Sequence, residues 1–180
     1  MLRRLRGMLV ALGVLLGVLG PVSVAGARPA SAAAPVDISC PVGSQVGTYS
    51  PGLEYQPQNV AFRTSGNVSG CVDLSGSGIS GASFSTFGQG TASCLAGSVS
   101  NTTTYRWSNG QTSTVRGTGA VNAKPNGVTV LVLTGTVESG LFTGATVVQT
   151  KVLLNSDLLA CATPEGLTSV GGPTNLTVAL

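Results

Sequence analysis

The sequence predicts an all-β fold: an antiparallel β-sandwich, with a β-barrel as the alternative, stapled by two disulfides. Three observations carry this expectation. Beyond about residue 59, apolar residues alternate with polar ones instead of recurring at helical spacing. Glycine, Asn-Gly and proline-containing turns break the chain into short runs, with no room for βαβ units. Four cysteines, Cys40, Cys71, Cys94 and Cys161, follow a leader-like segment, and an even count in an exported chain argues for disulfides.

Residues 1–32 read as a secretory signal peptide. Arg3, Arg4 and Arg6 form a basic start, an apolar run extends from Met8 to Leu19, and Pro21 precedes the small-residue sites Ala25-Gly26-Ala27 and Ala30-Ser31-Ala32. The apolar run is too short to cross a bilayer as a stable helix. Cleavage is expected after Ala32, with Ala27 and Ala34 as alternatives, leaving 33–180 as one secreted β domain without a membrane anchor. Four of the nine basic residues (Arg3, Arg4, Arg6, Arg28) fall in the leader. The formal charge of +3 therefore becomes about −1, because all six acids lie beyond it. No basic run remains to neutralise phosphates, which argues against nucleic acid and against an anionic membrane surface as partners.

Along the expected mature chain, Ala33–Pro35 read as a frayed terminus. Cys40–Asn59 reads as irregular loop with at most a short edge strand, because Pro41, Gly43, Gly47, Pro51-Gly52 and Pro57 recur there. Candidate strands follow at Val60–Arg63, Val68–Leu74, Ala82–Phe87, Thr91–Ala96, Thr102–Trp107, Gln111–Val121, Val128–Glu138, Ala145–Leu154 and Asn175–Leu180. Asn109-Gly110 between β-rich runs predicts a hairpin, and Lys124-Pro125-Asn126-Gly127 predicts a second. The Gly/Ser stretch Leu74–Gly81 reads as a flexible turn, and Asn155–Ala160 as a helical turn capped by Asn155 or Ser156. Val128, Val130 and Val132 face away from Leu131 and Leu133, which suggests a central strand covered on both sides. Pairing Cys40–Cys71 and Cys94–Cys161 is favoured among the three possibilities, since each bridge then closes one contiguous half of the chain.

The residue inventory narrows the chemistry. There is no histidine, so no Ser-His-Asp or Cys-His arrangement can form. Lys124 and Lys151 have no Ser-x-x-Lys context. Scattered cysteines without close pairs do not suit a metal, and no cofactor is expected. Glu138 and Asp157, with Asp73 and Glu54, are the acids that could form a glycosidase pair if brought within about 10 Å. Tyr105 and Trp107 share one face of a strand. An exposed pair would be a binding platform for sugars or apolar side chains, whereas a buried pair would be a core plug beside a disulfide.

The segments Trp107-Ser108-Asn109-Gly110-Gln111-Thr112-Ser113 and Gly135–Gly144, taken with the four cysteines and the lysine-poor leader, resemble small exported β-rich proteins of actinobacteria. That resemblance implies compartment, disulfides and fold, and carries over no catalytic residue. The expectation is a secreted, non-enzymatic, disulfide-stabilised module that binds an extracellular protein or glycan or associates with the envelope. The rivals are a carboxylate-dependent glycan hydrolase and a secreted protein inhibitor.

Overall fold

The computed structural model describes residues 36–123, 128–154 and 158–180. The expected leader, the Lys124–Gly127 hairpin, the cap at Asn155–Ser156 and Asp157 lie outside them. Ten strands follow one another: β1 (Val36–Cys40), β2 (Val42–Leu53), β3 (Gln58–Ser69), β4 (Val72–Asp73), β5 (Gly81–Ala92), β6 (Ala96–Trp107), β7 (Thr112–Ala123), β8 (Val128–Gly140), β9 (Thr146–Leu154) and β10 (Leu167–Ala179). A 3-10 turn, Leu158–Ala162, precedes β10.

The sheet closes on itself. Neighbours pair antiparallel in the order β2-β3-β5-β6-β7-β8-β9-β10, and β10 returns to β2. Eight strands so joined form a barrel, which corrects the sandwich expectation in favour of its alternative. The reason lies in β10. Its first half pairs with β2 (Val170 opposite Gly47), while its second half pairs with β9 on one edge (Thr174 opposite Lys151). The other edge of that second half carries β1 (Cys40 opposite Leu176). Thus β1 and β2 form one ribbon broken at Pro41, laid along β10. Closure removes the unpaired edges that a sandwich must protect.

Several expected boundaries shift for a common reason. The expected loop at Cys40–Asn59 is mostly β2, the expected strand Val60–Arg63 and the start of Val68–Leu74 are one strand, β3, and Ala82–Phe87 runs on through Gly88 and Gly90 into Ala92. The glycines do not break these strands; they stand where a partner fills the lumen. A side chain at Gly88 would overlap the Phe62 ring, and one at Gly66 would meet the Phe84 ring at 2.8 Å. Small and large residues thus alternate across the wall, as a tapered barrel requires.

Alternation then sorts the strands into an inner and an outer face, most regularly in the repeating buried–exposed pattern of β5. Val132 is 36% exposed, so β8 is not covered on both sides: a closed barrel has only one covered face. The inward residues form two apolar clusters at opposite ends. One holds Ile38, Cys40, Phe84, Tyr105, Trp107, Phe142 and Val178 with Cys71 packed against it. The other holds Leu53, Phe62, Cys94, Leu131, Leu153 and Cys161. The cysteines pair Cys40–Cys71 and Cys94–Cys161, so one bridge closes each end.

Tyr105 and Trp107 are 2% and 4% exposed. They stack at 5.6 Å between ring centroids, and Trp107 meets Phe142 edge-on at 5.7 Å. Burial of the indole requires a partner for its N–H. Trp107 Nε1 donates to Ser113 Oγ at 2.8 Å, and that hydroxyl donates to the Leu141 carbonyl at 2.5 Å. Ser113→Ala should therefore cost about 1–3 kcal/mol, because it orphans a buried donor and a carbonyl together. Chemical denaturation would measure this, and a loss below about 0.5 kcal/mol would show that the indole finds another partner.

The stretch after β4 is ordered rather than loose. Asp73 accepts from the Ser75 amide and hydroxyl and from the Ile79 amide, and these bonds hold its carboxyl below the usual range. Asn109 ties the same stretch to the β6–β7 hairpin through Ser77. The expected hairpin forms, but the positive φ falls on Gly110 alone, so the turn is not the type I′ that Asn-Gly favours, in which both residues take positive φ.

Candidate functional site

The surface-platform reading of Tyr105 and Trp107 is corrected by their burial: both point into the barrel and act as packing. Among the described residues, the lumen at the Leu131 end is nearly filled. The space lined there by Tyr49, Val60, Phe62, Val99 and Leu131 is about 20 Å³, room for about one water.

Between the two apolar ends lies a polar layer built from mid-strand residues. Gln45, Thr64, Thr86, Asn101, Thr103, Gln149, Lys151 and Thr174 are all buried. Part of this layer is a directed chain: Tyr105 Oη donates to Gln149 Oε1 (3.0 Å), Gln149 Nε2 donates to Thr174 Oγ1 (3.2 Å), and Thr174 Oγ1 donates to the Thr150 carbonyl (2.9 Å). Thr86 and Thr103 share a hydroxyl bond of 2.9 Å, and Thr103 also donates to Asn101 Oδ1 at 3.4 Å. Lys151 is fully buried, its Nζ lying 5.1 Å from the centre of the Phe84 ring. Desolvation lowers its amine from 10.5 to about 7.

The outer wall offers the accessible surface. Registers across five adjacent strands align Thr48, Arg63, Phe87, Thr102 and Arg116 in one row. The next row is Val46, Ser65, Ser85, Thr104 and Thr114. An open depression of about 610 Å³ spans these rows, lined by Val46, Arg63, Ser85, Phe87 and Thr104 among others. A second depression, lined by Phe87, Gln89, Thr102 and Arg116, continues it on the other side of Phe87. Phe87 is 48% exposed, with the Arg63 guanidinium 5.1 Å above its ring. Arg116 pairs with Glu138 at 2.9 Å across to β8.

The strand parity that fills the lumen also explains this wall. Ala82, Phe84 and Thr86 point inward, so Ser83, Ser85, Phe87 and Gln89 must point out. Arg63, Arg106 and Arg116 all lie on outward positions of β3, β6 and β7, and Glu138 pairs with Arg116.

Among the described residues, the acids considered for hydrolysis are spread apart. Asp73 holds its turn beside the Cys40–Cys71 bridge. The Glu54 main-chain carbonyl accepts from Cys94, which places that residue at the opposite end. Glu138 is on the outer wall with Arg116, and Asp157 lies outside the described residues. No protein-family model, curated protein or solved structure matches the chain.

Proposed function

We propose that the protein is an exported, non-enzymatic binding module whose ligand is an anionic extracellular glycan, held on the outer wall around Phe87. The observation that supports this most directly is the row Arg63–Phe87–Thr102–Arg116, exposed and flanked by hydroxyls on a rigid wall. An aromatic face takes the C–H side of a sugar ring, hydroxyls and Gln89 hydrogen-bond its rim, and guanidinium groups hold carboxylate or phosphate substituents in bidentate fashion. A near-neutral chain with its exposed arginines gathered on one wall favours a charged over a neutral polymer. The signal-like leader and the two disulfides support an oxidising, extracellular setting.

The test is binding of the oxidised protein to purified acidic and neutral polysaccharides and to cell-wall material. Retention by acidic polymers, weakening as salt rises, is the expected result. Phe87→Ala should reduce that affinity on the order of tenfold, the size of a lost stacking contact of about 1.4 kcal/mol, while loss of the Arg63 contact costs the fold no more than about 1 kcal/mol. Equal binding by Phe87→Ala, or capture of a secreted protein with no glycan retained, would overturn the reading.

A further inference from the structure

The polar layer contains three donors with no protein partner among the described residues: Lys151 Nζ, Gln45 Nε2 and Asn101 Nδ2. They come from three different walls. Lys151 on β9 stands opposite Leu131 and Thr174, Gln45 on β2 opposite Gly66 and Gly172, and Asn101 on β6 opposite Gly88 and Gly117. Their exposures are 0%, 4% and 6%. Burying an unpaired donor is costly, and burying an ammonium more so. All three orphaned atoms are donors.

That surplus has a chemical consequence. A water placed among them would accept but would also bring O–H groups needing acceptors of their own. An anion accepts only. No described carboxylate is within ion-pair distance of Lys151: Asp37 accepts from the Leu180 amide, Glu54 is at the Cys94 end and only half-buried, Asp73 holds its turn, Glu138 is outside with Arg116, and Glu165 is exposed. Lys151 stands opposite Leu131 and Thr174, its Nζ lies over the Phe84 ring, and Phe84 packs on Tyr105. Tyr105 is the titratable one, and burial keeps its hydroxyl neutral.

We propose that the middle of the barrel is a buried binding site for one small monoanion of halide or nitrate size, held by Lys151, Gln45 and Asn101. Such a site neutralises the buried ammonium and satisfies two amides at once. It is independent of the outer-wall site, and no step of ligand binding at Phe87 depends on it.

The experiment uses the oxidised protein unfolded by urea in sodium gluconate, sodium bromide or sodium nitrate at one ionic strength. For a single site on the folded state, each tenfold rise in bromide above its dissociation constant should shift the folding equilibrium tenfold. The shift should grow as pH falls, since the ammonium form is the one that binds. Lys151→Met and Gln45→Leu should each abolish it, and Gln45→Leu keeps the charge if Lys151→Met fails to fold. Crystals grown in bromide should show an anomalous peak within hydrogen-bond distance of Lys151 Nζ. Equal salt effects in wild type and both variants would overturn the site, as would ordered waters in place of the peak.

Discussion

Replacing Cys94 and Cys161 together by alanine should lower stability by about 4 kcal/mol. The bridge spans a sequence separation of 67 residues, and on the chain-entropy argument a loop of that length loses about this much freedom in the unfolded state. Its position makes the loss structurally specific. Cys161 sits in the 3-10 turn just before β10, the strand that closes the barrel onto β2, while Cys94 sits between β5 and β6 in the same apolar cluster. Without the bridge, β10 must find its two edges unaided. The Cys40–Cys71 bridge spans 31 residues, about half as many, so its removal should cost only about 0.6 kcal/mol less by loop length alone. Urea unfolding of both double variants gives the comparison. A loss below about 1 kcal/mol for the longer loop would show that apolar packing already fixes the β9–β10 connection in the unfolded ensemble.

How much of this was legible follows from what a period of two can say. Parity places Ser83, Ser85 and Phe87 on the face opposite Phe84, and Val147, Gln149, Lys151 and Leu153 on one inner face; the sequence carries both signals. Read on its own, however, parity does not say which face is the core, so Tyr105 and Trp107 could be platform or plug until Phe84 and Phe142 are seen against them. Barrel closure was hidden for a different reason. Gly171-Gly172-Pro173 looks like a breaker, yet these residues pair with Ser44–Val46 inside β10, at the point where the strand passes from one partner to another. The same holds for Gly88, a turn signal in isolation and a socket for Phe62 in the fold. The outer row of Arg63, Phe87 and Arg116 depends on register across separate strands, which no local pattern contains.

Lys151→Met should make the protein more stable near pH 7 by about 1–4 kcal/mol in an anion that the site does not take, because an unpaired buried charge is replaced by an apolar chain of similar length. The pH dependence gives the claim its sign. The folded-state value is depressed from 10.5 to about 7. Below about 7 both folded and unfolded chains carry the proton, and the burial penalty is present in full. Between about 7 and 10.5 the unfolded chain binds more protons than the folded one, so wild-type stability rises with pH across that window. Above 10.5 the amine is neutral in both states and the penalty is gone. The methionine variant lacks this rise, so the two stability curves should lie furthest apart at or below pH 7 and converge toward pH 10.5. Urea unfolding at several pH values measures it. A flat wild-type curve, with the variant the less stable of the two at pH 7, would mean that the ammonium keeps a charged partner even in gluconate. A lysine that costs stability in the centre of a barrel wall is expected to persist only if its charge is used, and the anion dependence of the same curve is the measurement that asks for that use.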